Sequence, residues 1–183
     1  MDRLKTLVRR IDRLNDRVGR AVAWLTAAMV LVVVFVVITR YGFGWGRVWI
    51  QESYVWMHGI VFMLGAGYTL LNEGHVRVDV FYRPASVRYK AWVDLGGSLL
   101  LGLPILITVA IVSFPYVMNS WERLEASREA GGLPGLFLLK SVLLGFCALM
   151  ILQLLAMAGR SFLVLRGEPE FLAEAEARNE ALS

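Results

Sequence analysis

The sequence predicts an all-α integral membrane protein with four transmembrane helices. Of its 183 residues, 57% are hydrophobic and only 19% are charged, whereas soluble domains carry about 25% charged residues. The charges also avoid four windows, which contain a single charged residue, Lys140, and cover 21–39, 53–71, 95–121 and 133–159. A helix crosses a bilayer with about 20 apolar residues, and none of the windows alternates as the strands of a membrane barrel do. The pattern excludes soluble globular and disordered chains.

The distribution of Lys and Arg predicts the topology. An even number of spans places the N-terminus, the middle connection and the tail on one side, and that side carries fourteen Lys and Arg against four on the other. The positive-inside rule therefore predicts that both termini are cytoplasmic. The predicted transmembrane domain covers 21–165, with spans at about 21–39, 53–71, 93–118 and 133–159.

Two segments flank the predicted transmembrane domain. Residues 1–20 have apolar side chains at a spacing of three to four, with Arg and Asp on the other face: Leu4, Leu7, Val8, Ile11, Leu14 and Val18. This spacing predicts a basic amphipathic helix on the lipids of the inner leaflet; the alternative is a simple orientation signal. Residues 166–183 are polar and acidic, which predicts a solvated cytoplasmic helix or a frayed end.

Composition also bears on the class of function. The net charge of +4 does not indicate nucleic-acid binding, because the positions of Lys and Arg in a membrane chain set its topology. The single cysteine, Cys147, forms neither an intramolecular disulfide nor a thiolate metal site. Short connections leave no room for a soluble catalytic domain. We therefore expect no enzyme activity and no cofactor.

Two charged residues near the predicted outer face are candidates for a structural role. Glu52 is expected at the start of the second span, where a carboxylate suits the helix dipole, and it is placed to pair with Arg40 or Arg47. Lys140 lies about two turns into the fourth span. Its amine is expected either to extend outward or to neutralise a carboxylate or a lipid headgroup.

The other polar residues of the spans predict packing roles. His58 is expected to hydrogen-bond to a neighbouring helix or subunit, since the only other histidine, His75, lies in the cytoplasmic connection and does not complete a haem site. Gln153 is expected to hydrogen-bond across helices, and Pro104 and Pro115 to kink the third span. The sequence has no intramembrane acid pair and no inverted repeat, which mark the substrate site of a secondary transporter. These features predict a partner subunit.

Residues 40–79 contain four motifs whose order and spacing resemble a known family. They are Arg40-Tyr41-Gly42-Phe43, Trp49-Ile50-Gln51-Glu52, Phe62-Met63-Leu64-Gly65-Ala66 and Gly74-His75-Val76-Arg77-Val78-Asp79. The chain is similar, over roughly residues 20–160, to the small membrane subunit of tripartite ATP-independent periplasmic (TRAP) transporters, the DctQ type. Gln51 is a departure, because many members of that family have an acid there.

The resemblance implies a non-catalytic subunit in a bacterial inner membrane. In this family a periplasmic substrate-binding protein captures an organic anion, often a carboxylate. A large polytopic subunit holds the substrate and sodium sites, and the small subunit enlarges its static scaffold. The implied structural or interface residues are Arg40, Trp49, Glu52, Gly65, Gly74, His75, Arg77, Asp79 and Lys140. Two alternatives remain open: a haem-binding membrane anchor of a redox complex and a small autonomous four-helix exporter.

Overall fold

The computed structural model describes residues 1–75, 82 and 84–182. The helices in this part of the chain are α1 (Asp2–Phe43), α2 (Val48–Leu71), α3 (Val87–Glu122), α4 (Leu136–Leu165) and α5 (Pro169–Leu182). Helices α1 to α4 are each long and apolar enough to cross a membrane. The described residues contain no strand. The predicted all-helical fold with four membrane-crossing helices is therefore confirmed.

Helix α1 is continuous from the predicted amphipathic segment into the first apolar window. Its 42 residues span about 63 Å, about twice the ~30 Å of a bilayer's hydrocarbon core. No proline interrupts it. On its first half, Val8 and Ile11 are buried inside the protein, whereas Leu7 and Leu14 are exposed. The apolar face therefore packs in part against protein, and contact of its exposed residues with lipid stays a prediction.

Helix α3 contains a π-helical turn. Residues Val87–Gly96 and Leu103–Glu122 are α-helical, and Gly97–Gly102 between them is π-helical. Pro104 follows directly; it has no amide hydrogen, and its ring clashes with the carbonyl one turn earlier in a regular α-helix. A wider turn just before it relieves that conflict. The irregularity expected from Pro104 thus takes the form of a π-turn.

Helix α4 is the centre of the bundle, because it packs against α1, α2, α3 and α5. We call the end of the bundle that holds residues 2–20, 87–96 and 160–182 the inner end, after the predicted topology, and the end that holds 44–52 and 120–140 the outer end. The larger buried apolar cluster lies at the inner end and contains Val8, Ile11, Ala91, Ala156, Leu163, Val164 and Phe171. The chain's main core is therefore at one end of the bundle.

The acidic tail folds back onto the basic N-terminal segment. Gly167 has a φ of 75°, which allows the chain to reverse after α4, and α5 then places Phe171 in the core with 1% of its surface exposed. Lys5 pairs with Glu168 at 2.6 Å and Arg9 with Glu170 at 2.8 Å. The tail forms a helix, as one of the two expectations had it, but this helix is not wholly solvated, because Phe171 is buried and Lys5 and Arg9 pair with glutamates of the tail.

Helices α1 and α2 approach closely at two glycines. A Cβ atom on Gly19 would lie 2.3 Å from Cγ of Tyr68, and one on Gly67 would lie 2.1 Å from Oδ1 of Asn15. Real Cβ atoms do not approach heavy atoms this closely. Each glycine thus allows a contact that any larger residue would push apart.

We expect Gly19→Ala to lower the free energy of unfolding by about 1–3 kcal/mol, the usual cost of overpacking. Thermal unfolding in mild detergent measures the effect. The matched control is Gly42→Ala in the same helix, where an added Cβ meets nothing within 4 Å and alanine's higher helix propensity is the main effect. Equal melting temperatures for the two variants would contradict the close approach.

Candidate functional site

At the outer end, Glu52 of α2 holds the connection between α3 and α4. Its Oε2 accepts a hydrogen bond from the backbone N–H of Leu133 at 2.6 Å, and its other oxygen accepts one from the hydroxyl of Ser127. Because α2 begins at Val48, Glu52 lies in the second helical turn and not at the helix start. Neither expected pair, with Arg40 or with Arg47, is formed, because the carboxylate hydrogen-bonds to this connection instead.

A second carboxylate joins the same connection to α4. Glu125 accepts hydrogen bonds from the ammonium group of Lys140 and from the hydroxyl of Ser120, the latter at 2.7 Å. The Lys140 nitrogen also lies 4.2 Å from the ring centroid of Tyr116, a favourable cation–π position. Of the alternatives for Lys140, the structure shows neutralisation of a carboxylate. The bond from Lys140, followed by that from Ser120, lowers the pKa of Glu125 from its ordinary value.

At the inner end, a buried polar network joins α1 to α4. The guanidinium group of Arg160 donates to Asp12 at 2.6 Å, and the Gln153 amide donates to the other oxygen of Asp12 at 3.1 Å. The Asn15 amide donates to Oε1 of Gln153 at 2.9 Å. Asn15 and Gln153 are each only 1% exposed. The partly buried carboxylate of Asp12 is stable here because an arginine and an amide satisfy it.

Sequence reasoning found only one member of this network, Gln153, for which it predicted a hydrogen bond across helices. It missed Asp12, Asn15 and Arg160. A signal was present for Asn15, which follows the buried Ile11 by four residues and so lies on the apolar face of the first helix. A polar residue on such a face needs a buried partner.

Among the described residues, no hydrogen bond, ion pair or ring contact joins the other candidates of α1 and α2 to one another. Arg40 is exposed in the last turn of α1, where its charge suits the helix dipole. Trp49 is half exposed in the first turn of α2. A Cβ on Gly65 would meet nothing within 4 Å, so no packing among the described residues requires a glycine there. His58 is exposed as well.

Helix α2 ends with left-handed geometry at Glu73, which has a φ of 56°. Gly74 follows it, and its N–H donates to the carbonyl of Thr69 at 2.8 Å, which completes a Schellman motif. His75 is exposed just beyond. Arg77 and Asp79, the other two candidates from the same sequence motif, lie outside the described residues.

The described inner end also contains a crevice of about 370 Å³ beside the buried network. Its charged lining consists of three arginines and three carboxylates: Arg9, Arg13, Arg160, Asp12, Asp16 and Glu174. The two signs balance, so the crevice has no strong preference for an anion. Within 1–75, 82 and 84–182, no group of three or more His, Cys, Asp or Glu side chains is placed to hold a metal ion.

We expect Glu52→Ala to speed hydrogen exchange of the Leu133 amide by roughly tenfold to a hundredfold, because a hydrogen bond to a charged group contributes about 1.5–3 kcal/mol. Hydrogen–deuterium exchange of peptides from 123–135 measures the rate. The control is Glu129→Ala, which removes an exposed carboxylate from the same connection. Equal exchange in both variants would contradict the assigned role of Glu52.

The pair of Glu125 and Lys140 predicts a pH dependence. A folded-state pKa below the unfolded one stabilises the protein above the unfolded pKa, and this contribution is lost as the pH falls through the folded pKa. We expect the wild type to melt at a higher temperature than Glu125→Gln at pH 7, and the gap to narrow as the pH falls below about 4.5, the ordinary pKa of a glutamate. Glu122→Gln, which changes an exposed neighbour, should leave the melting temperature unchanged. A gap as wide at pH 3 as at pH 7 would contradict the pairing.

Comparisons with known proteins place the chain in a family. Residues 29–163 match the family described as tripartite ATP-independent periplasmic transporters, DctQ component. The match begins in the apolar part of α1 and ends in the last turns of α4, so it includes apolar sequence from all four membrane-crossing helices and the residues of the outer end. Comparisons with curated proteins and with solved structures each gave no match. Because the match covers well over half of the sequence, the chain belongs to the DctQ family, the small membrane component of TRAP transporters.

Proposed function

We propose that this chain is the static scaffold and assembly subunit of a TRAP transporter for organic anions, most simply carboxylates. It binds a large polytopic subunit, which carries the substrate and sodium sites and performs the transport movement. A periplasmic protein delivers the substrate to the complex. Family membership supports this division of labour. The polar contacts between the chain's helices and its exposed apolar surfaces support it as well.

Polar contacts at both ends of the bundle carry the scaffold proposal. At the outer end, Glu52 and Glu125 tie α2 and α4 to one connection. At the inner end, Asp12 ties α1 to α4 through Arg160. Helix α4 is therefore held at both of its ends, through Lys140 and Arg160, and is poorly suited to slide or tilt against its neighbours. The chain therefore suits a fixed reference against which a partner moves.

The apolar helix surfaces support an assembly role. Within the most apolar stretch of each helix, the buried share of residues is 6% in α1, 6% in α2, 17% in α3 and 28% in α4. Most of the membrane-facing area is therefore left for contact with lipid or with another protein. A subunit that packs against a larger partner needs such a surface.

We place the chain in a bacterial inner membrane with both termini in the cytoplasm. The excess of Lys and Arg on the side of the termini supports this orientation. The inner end would then face the cytoplasm and the outer end the periplasm. Glu52, Glu125 and Lys140 would lie on the side from which the substrate-binding protein approaches.

A pull-down of the tagged chain from its native host in mild detergent tests the proposal. We expect mass spectrometry to identify a much larger polytopic membrane protein in near-equal amount, and the visible spectrum to show no haem band. A chain recovered alone would contradict the assembly role. A Soret band together with redox partners would instead favour a haem-binding anchor.

A further inference from the structure

Helix α2 carries a histidine in the middle of its length, on an exposed side of the helix. His58 lies ten residues after Val48 and thirteen before Leu71, about 15 and 20 Å along the helix axis. Its ring is exposed and stacks on Phe62, with ring centroids 6.4 Å apart. Within the described residues, neither ring nitrogen takes part in a hydrogen bond.

Such a position is unfavourable against lipid. An imidazole has one N–H donor and one acceptor nitrogen, and the hydrocarbon layer offers neither of them a partner. The outer half of α1 shows what a lipid-compatible surface looks like, because its large exposed residues between Val30 and Ile38 are all aliphatic or aromatic. Polar side chains at membrane depth generally face protein.

The surroundings of His58 form a continuous surface, which we call the His58 face and define as Val55, His58, Phe62 and Gly65. At 100° per residue these four positions fall within about 80° of one another around the helix. Val55 and Phe62 are 55% and 68% exposed. Gly67 lies half a turn from His58 and contacts α1, so the His58 face points away from the bundle.

Gly65 adds a shallow depression to this face. A Cβ placed on it would meet nothing within 4 Å, in contrast to Gly67 and Gly19, which are crowded by neighbours within the chain. A small residue on an exposed helix surface lets the backbone of another helix approach closely. Next to it, His58 supplies a hydrogen-bonding group and Phe62 supplies contact area.

We infer that the His58 face is where a transmembrane helix of the large TRAP subunit docks, and that this helix carries a side chain that hydrogen-bonds the His58 imidazole. Suitable partners are a hydroxyl, an amide or a carboxyl group. The inference rests on the proposed function and adds to it the surface of contact. The large subunit is the occupant because the family to which the chain belongs is a component of a multisubunit transporter.

Photocrosslinking in the complete complex tests the placement. The photoreactive residue p-benzoylphenylalanine replaces Phe62 in one variant and Ile111 in the control, a residue of α3 that is 66% exposed on an apolar surface. Both are made in cells that also express the large subunit, and intact membranes are irradiated. We expect at least tenfold more crosslink to the large subunit from position 62 than from position 111.

Two substitutions test the hydrogen bond. His58→Leu removes the polar group, and His58→Gln keeps a donor and an acceptor at similar reach. We expect the first to lower the amount of large subunit that co-purifies by about tenfold, and the second to retain most of it. If the His58 side chain only filled space, the two variants would co-purify similar amounts of the large subunit.

The outcomes distinguish this inference from the proposed function. Equal crosslinking from both positions, crosslinking to a second copy of this chain, or co-purification unchanged by His58→Leu would overturn the inference, while wild-type co-purification would leave the proposed function standing. If the wild-type chain does not co-purify with the large subunit, both are wrong. Strong crosslinking from position 62 together with the loss in His58→Leu supports the inference.

Discussion

The rest of the structure depends on the partly buried contact of Asp12 in α1 with Gln153 and Arg160 in α4. Charges removed from water are stable only when they are paired and hydrogen-bonded, so the contact sets the relative register of two long helices. Helix α4 in turn packs against α2, α3 and α5. Asn15 of α1 donates to Gln153 of α4 and also lies against Gly67 of α2, so the same place joins a third helix. Helix α5 buries Phe171 against α1 and α4.

The bilayer explains why the main core lies at one end of the bundle. In hydrocarbon, apolar side chains gain little by leaving lipid for another helix, so close packing and hydrogen bonds must hold helices together. The described chain concentrates its polar ties at the outer and inner ends and leaves much of the apolar surface between them uncovered. This arrangement gives tied helix ends and open sides, as suits one component of a tripartite transporter.

Charge placement has two uses in this protein. In the sequence, the Lys and Arg of the N-terminal segment predict the orientation of the chain, and in the structure Lys5 and Arg9 pair with the acidic tail. Composition alone showed both the basic segment and the acidic one, and it did not show that they meet. The two residues of each pair, Lys5 with Glu168 and Arg9 with Glu170, are more than 160 residues apart along the chain, so no local sequence pattern predicts that they meet.

The sequence by itself determined the all-helical membrane fold, the four apolar helices and the family, because length, hydropathy and the motifs of residues 40–79 are local properties. Only the tertiary structure decided which polar groups meet. Their positions along the predicted spans place Glu52 and Lys140 near the outer face, yet only the packed chain brings Ser127 and Glu125 to them. Likewise, the spacing of Asn15 puts it on an apolar face of α1, but only the packing of α4 beside α1 brings Gln153 within hydrogen-bond distance. Periodicity assigns a residue to a side of its helix, whereas contacts depend on how distant segments pack.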